Sequence, residues 1–220
     1  MQQAIINKKA PKPNGLKTAF DTVIAPGQAF AALALTPTWG IAFLVTLLFA
    51  ALGTYVMIPA FQHAFSLEWT SMVAADPRLS QMSQDELGQR LAFTLKFMRF
   101  SWIFVFVSMP LLMLVQAVVM TVLNGFGRGR GSFGQWWAVA VNVSLVGAGL
   151  NALVTAVIVL VVGANEYSSM AQLRAVMPSL ALAVPGASPQ IGAFLAAITP
   201  FSLWSAGLTV AAMRAIGRVP

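Results

Sequence analysis

The chain has 220 residues, 58% of them hydrophobic and 9% charged, with a mean hydropathy of +0.79 and a formal net charge of +7. A soluble domain carries roughly 25% charged residues, so nineteen charges are too few to clothe a soluble core of this size, and the apolar content excludes disorder of the whole chain. Cysteine is absent and His63 is the single histidine, which excludes disulfides and thiolate sites and argues against a histidine-centred metal site or triad. The class that remains is an integral membrane protein. In a soluble protein a pI near 10.6 would suggest nucleic acid; in a membrane protein it reflects orientation.

Residues 1–15 mix Lys8, Lys9 and Lys12 with Pro11, Pro13 and Gly15 and read as a disordered basic tail. Residues 16–37 carry Leu16, Phe20, Val23, Ile24, Phe30 and Leu33. That spacing predicts short amphipathic helices lying on the membrane, broken at Pro26. The first long apolar run starts only at Gly40, too late and too long for a cleaved signal, so an uncleaved anchor is expected.

Charge-free runs of about 20 residues mark the spans. The first covers residues 40–60, and a polar insert follows over 61–100. Within it Ser83-Gln84-Asp85-Glu86 fits a capping box, predicting a helix through Leu87, Leu91, Leu95 and Met98 and onward into the second span, 101–123. A glycine-rich turn, NGFGRGRGSFGQ, leads to the third span, 136–163. Residues 175–189 read as an interfacial or re-entrant piece, and 191–213 as a fourth span kinked at Pro200. The expected fold is an all-α polytopic membrane bundle of four spans, with five as the alternative. The six tryptophans mostly flank these spans, as interfacial belts do, although Trp204 falls inside the fourth.

With the N-terminus in the cytoplasm, four spans place Lys8, Lys9, Lys12, Lys17, Arg128, Arg130, Arg214 and Arg218 on the cytoplasmic side against Asp21 alone. Five basic and five acidic residues fall on the other side. The basic count predicts both termini cytoplasmic and favours anionic lipid as a partner of the basic face.

Small residues recur every four positions in the third span at Ala140, Ser144, Ala148, Ala152 and Ala156. They predict close helix packing within the bundle, or against a second copy or another membrane protein, with Gly207 and Ala211 as a matching face. Gln116, Asn142 and Asn151 are buried amides expected to hydrogen-bond between spans. They are neutral, and ion-coupled transport usually needs intramembrane charge. Gly125-Phe-Gly127-Arg-Gly129-Arg-Gly131 lacks the spacing of a phosphate-cradling loop and reads as a tight turn. Arg128 and Arg130 there, with Arg214 and Arg218, are the candidate contacts for anionic lipid or an acidic partner. No nucleophile, metal or cofactor motif is found. Asp85 and Glu86 read as helix-capping acids, and the eleven methionines as adaptable packing.

Ala25-Pro26-Gly-Gln-Ala-Phe30 with Pro37-Thr-Trp39 forms one characteristic stretch. Pro200-Phe201-Ser-Leu-Trp204 with Gly207 and Arg214-Ala-Ile-Gly217-Arg218 forms another. Together with the Ser-Gln-Asp-Glu helix start, they resemble the bacterial branch of the Yip family, named for eukaryotic proteins that interact with Ypt/Rab GTPases. The resemblance runs over about residues 20–220. It implies a multispan membrane protein with a cytosolic N-terminus and no catalytic residue to carry over. Members commonly continue into a fifth span, which leaves here either a four-span variant or a different division of residues 175–213. The expected function is a non-enzymatic scaffold or adaptor that organises partner proteins or lipids. The alternative is a small permease-like or accessory transporter subunit.

Overall fold

The computed structural model describes residues 14–127, 129–184, 186 and 188–217, and among them every regular element is helical. The expectation of a disordered tail falls on residues 1–13, outside the described residues. Asn14 and Gly15 already belong to the first helix.

Helix α1 (Gly15–Ile24) starts where the Asn14 side chain accepts from the Leu16 and Lys17 N–H groups. It stops at Ala25 because the following proline disfavours helical backbone in the residue before it. Pro26 then opens α2 (Pro26–Leu35), where its missing N–H costs nothing. The two helices behave differently. In α1 the protein side is Thr18, Ala19 and Thr22, while Leu16, Phe20 and Ile24 form an outward apolar stripe, each about 60% exposed. In α2, Phe30 and Leu33 are fully buried among Met120, Trp136, Val139, Leu208 and Ile216. Of the two expected amphipathic helices, α1 thus turns an apolar stripe outward, whereas α2 buries its apolar face in the core. Trp136 is likewise fully buried in this core.

Helix α3 (Gly40–Ala75) is the main departure from the sequence reading. Its 36 residues span about 54 Å, against about 30 Å of hydrocarbon. It runs through Pro59 without stopping, because Ala60 and Ala64 are fully buried against Val159, Tyr167 and Leu173, and that packing holds the helix beyond the proline. Residues 61–75, the first part of the polar insert, are thus a continuation of the first span's helix. After the turn at 76–83, α4 (Gln84–Met98) folds back antiparallel, with Gln62 Nε2 donating to the Leu95 carbonyl at 2.6 Å. The capping box at Ser83 and Glu86 is present. The expected continuous run from α4 into the second span is broken by a 3₁₀ turn, Ser101–Phe104, ahead of α5 (Val105–Phe126).

The third span is α6 (Phe133–Ser144), a π-helical segment (Leu145–Leu150) and α7 (Asn151–Val162), 30 residues in all. A second capping box, Ser132 with Gln135, starts it three residues before Trp136, and Gly163 ends it at φ +104°, a conformation that favours glycine. Helix α8 (Met170–Arg174) is tied to the α3 extension, where the Met170 N–H donates to Glu68 Oε1 at 2.9 Å. The fourth apolar region is two helices, α9 (Pro189–Ala196) and α10 (Pro200–Ala212), the latter extended by a π turn to Gly217 and bent 65° from α9. The expected kink at Pro200 is a full break. Thr199 caps α10 and Pro200 occupies its first turn.

Among the described residues three helices are long and apolar enough to cross a membrane, four if the bent pair counts as one. Leu44, Leu48 and Leu52 on α3, Val107, Leu111, Val115 and Val118 on α5, and Val157, Leu160 and Val161 on α7 are all exposed. So much outward apolar surface belongs in lipid. The direction of the chain alternates through α3, α5, the third span and α10. At one end Gln135 Nε2 reaches the Ala34 carbonyl (2.6 Å), Asn142 Nδ2 the Thr38 carbonyl (3.1 Å) and the Arg130 N–H the Gly217 carbonyl (3.4 Å). The α3–α4 hairpin and α8 occupy the other end.

Candidate functional site

The centre of the bundle is a crossing of three elements at the π segment. A Cβ on Gly53 of α3 would fall 2.7 Å from the Ala152 carbonyl oxygen, and one on Gly147 would fall 2.4 Å from Ser205 Oγ of α10. Gly149 faces the Thr46 backbone. Glycine is required at Gly53 for close approach, not for backbone angle; at Gly147 the Ser205 hydroxyl would have to turn aside, and at Gly149 a Cβ would make ordinary contact. π segments occur mostly as single-turn bulges, frequently at functional sites.

The small-residue positions divide among different neighbours. Ala140 and Ala156 are buried, Ala152 meets Gly53, and Ser144 and Ala148 face α5 and α10. Ala211 packs partly against the α2 core, whereas Gly207 has open space beyond it; α10 turns Ser205, Leu208 and Ala212 inward instead. Of the three amides, Gln116 accepts from Ser144 Oγ at 3.4 Å, a contact between spans. Asn142 donates to Ala138 in its own helix and to Thr38 ahead of α3, so its bonds do not join two spans. Asn151 Oδ1 is buried without a partner. The expectation of inter-span hydrogen bonds therefore holds its geometry only at Gln116.

Beside the crossing lies a polar cleft in two parts. One, of about 400 Å³, is lined by Asn151, Thr155, Arg174, Thr199 and Ser202. The other, of about 310 Å³, is lined by Gln116, Ser144, Ser205, Met109 and Leu112. Gly147 and Ser202 border both. The break between α9 and α10 falls at this space: Ala196 and Ala197 end one helix there, and Thr199 and Ser202 begin the next. Thr155 Oγ1 donates to the Asn151 carbonyl (2.8 Å) and Ser202 Oγ to the Thr199 carbonyl (2.9 Å), while Ser205 Oγ is buried without a partner. The lining offers hydrogen bonds and one fixed positive charge, which suits binding. The sequence reading missed Thr155, Arg174, Thr199, Ser202 and Ser205. The Thr199-Pro200 pair, a helix-start signal in the middle of an apolar run, could have indicated the break that exposes them.

The basic residues sit apart from the cleft. Arg130 and Arg214 are exposed at the end that carries α1 and α2, while Arg128 and Arg218 lie outside the described residues. The glycine-rich turn is a packed one. A Cβ on Gly129 would strike Asn124 Oδ1 at 1.9 Å, and one on Gly131 would lie 2.6 Å from Trp136 Nε1. On the α3–α4 hairpin a further open groove of about 880 Å³ is lined by Trp69, Leu79, Met82, Phe93, Glu86 and Arg90. No group of three or more metal-ligating side chains is found among the described residues. No family model, curated protein or solved structure matches the chain.

Proposed function

We propose that the protein is a non-enzymatic integral membrane adaptor of Yip-like type, organising partner proteins or lipids at a bacterial inner membrane, with both chain ends cytoplasmic. The α3–α4 hairpin carries this reading. It is an ordered helical pair projecting past the hydrocarbon, and its groove combines Trp69 and Phe93 with Glu86 and Arg90. Aromatic side chains and arginine are enriched at protein-recognition surfaces, and Trp69, Phe93 and Arg90 supply both here. At the opposite end, Arg130 and Arg214 supply positive charge for anionic lipid.

The test is a photo-crosslinking residue at Phe93 in intact membranes, with Val119 on the lipid-facing side of α5 as control. The adaptor reading expects a discrete protein adduct from position 93, diminished by Arg90→Glu, and none from position 119. Adducts to lipid alone from both positions would contradict it. The transport reading draws its support from the polar cleft. It expects Ser144→Cys to react with a membrane-impermeant thiol reagent, whereas the adaptor reading expects protection.

A further inference from the structure

We propose that the cleft between the third span and α10 binds a phosphorylated polyol group, the head group of a lipid or a soluble phosphate ester. The cleft shares no lining residue with the hairpin groove, and the proposal stands or falls independently of the adaptor reading.

Arg174 is the only ionisable side chain lining the cleft, and it has no carboxylate partner; Lys17 with Asp21 is the single ion pair among the described residues. A guanidinium left free at the edge of a polar recess suits an oxyanion, because its fork matches two phosphate oxygens. Deeper in, the requirement changes from charge to hydroxyl chemistry. Neither end of the Asn151 amide has a partner among the described residues, and its Oδ1 is buried without one. Ser205 Oγ, on the far side of Gly147, is orphaned in the same way. Buried polar atoms left unpaired are costly, and a ligand hydroxyl, which both donates and accepts, would suit the amide and the serine. An anion at the mouth with hydroxyls beyond it describes a phosphorylated polyol. The volume of about 400 Å³ is within the usual range for small-ligand sites. Ala196, in the wall of the cleft, ends α9, whose Ile191 and Phe194 are exposed and apolar, so acyl chains could lie alongside a head group seated in the cleft.

The experiment uses the full chain in mild detergent and follows its thermal unfolding against increasing ligand. Short-chain phosphatidylglycerol should raise the midpoint saturably, and phosphatidylcholine of the same chain length should not. Arg174→Gln should weaken the apparent affinity by about tenfold, with Arg174→Lys intermediate. Asn151→Leu should weaken it as well, and Arg214→Gln, at the opposite end, should leave it unchanged. Glycerol phosphate distinguishes the sources. A saturable shift assigns the cleft to soluble phosphate esters as well as lipid, and none assigns it to lipid. Equal responses to the two lipids, or a phosphatidylglycerol response that survives both Arg174→Gln and Asn151→Leu, would overturn the proposal. Native mass spectrometry gives a second readout should either variant unfold early. Retained phosphatidylglycerol should fall in Arg174→Gln relative to Arg214→Gln, and equal retention would count against the site.

Discussion

Gly53 and Gly207 are both glycines within apolar helices, yet they face opposite circumstances. At Gly53 a methyl group would enter the Ala152 backbone of the third span, so Gly53→Ala must push α3 away. The expected loss is about 1–3 kcal/mol, the usual cost of overpacking. At Gly207 nothing stands within 4 Å, and Gly207→Ala should gain about 0.5–1 kcal/mol by removing unfolded-state freedom. Thermal unfolding of both variants in detergent checks the contrast. The same reasoning separates two alanines. Ala152→Leu should destabilise because Ala152 lies in the crossing, whereas Ala148→Leu has the cleft to grow into and should cost less. The period-four pattern made these positions visible as a group. It could not assign them to neighbours, because the division among α3, α5 and α10 is set by how distant segments cross. Arg174, Thr199 and Ser202 escaped notice for the same reason: their meeting depends on the break before Pro200.

Helix starts were the most legible feature at the scale of elements, because a cap is a local arrangement of one hydroxyl and the N–H groups just after it. The Ser83–Glu86 box was readable; the Ser132–Gln135 and Thr199–Ser202 boxes follow the same chemistry with weaker partners. Helix ends were less legible, the stop of α1 before Pro26 apart. Residues 61–75 contain Gln62, His63, Ser66 and Glu68, which by hydropathy resemble a loop, and they remain helical because Ala60 and Ala64 are buried against α7 and α8. The π segment coincides with the approach of Thr46 and Ser205, a contact between segments distant in the chain. The hairpin should respond to its cap. Ser83→Ala should cost about 1 kcal/mol, seen as faster hydrogen exchange in the first turn of α4. Bonds from the Ser83 backbone N–H and then its hydroxyl, with a smaller contribution from Arg90, hold the Glu86 carboxyl below its ordinary range. The folded state therefore favours the ionised carboxylate. Its contribution is present above the unfolded value of about 4.3 and is lost as pH falls through the lower folded-state value. Acidification through that window should loosen the start of α4 in the wild type and have less effect in Ser83→Ala, as NMR of the α4 amides would register.

The whole molecule is built on alternation of direction. The α3–α4 hairpin and α8 share one end, while α1, α2, the 127–132 turn and Gly217 share the other. That arrangement requires α9 and α10 together to return the chain across the membrane, although α10 begins beside the middle of the third span, with Ser205 against Gly147. The absence of cysteine makes the arrangement directly measurable. Single substitutions Asp85→Cys, Arg130→Cys and Ala215→Cys in intact cells would be labelled with a membrane-impermeant maleimide before and after permeabilisation. The account predicts that position 85 reacts in intact cells, while positions 130 and 215 react only once the membrane is opened. Labelling of position 215 from outside with position 130 protected would contradict it.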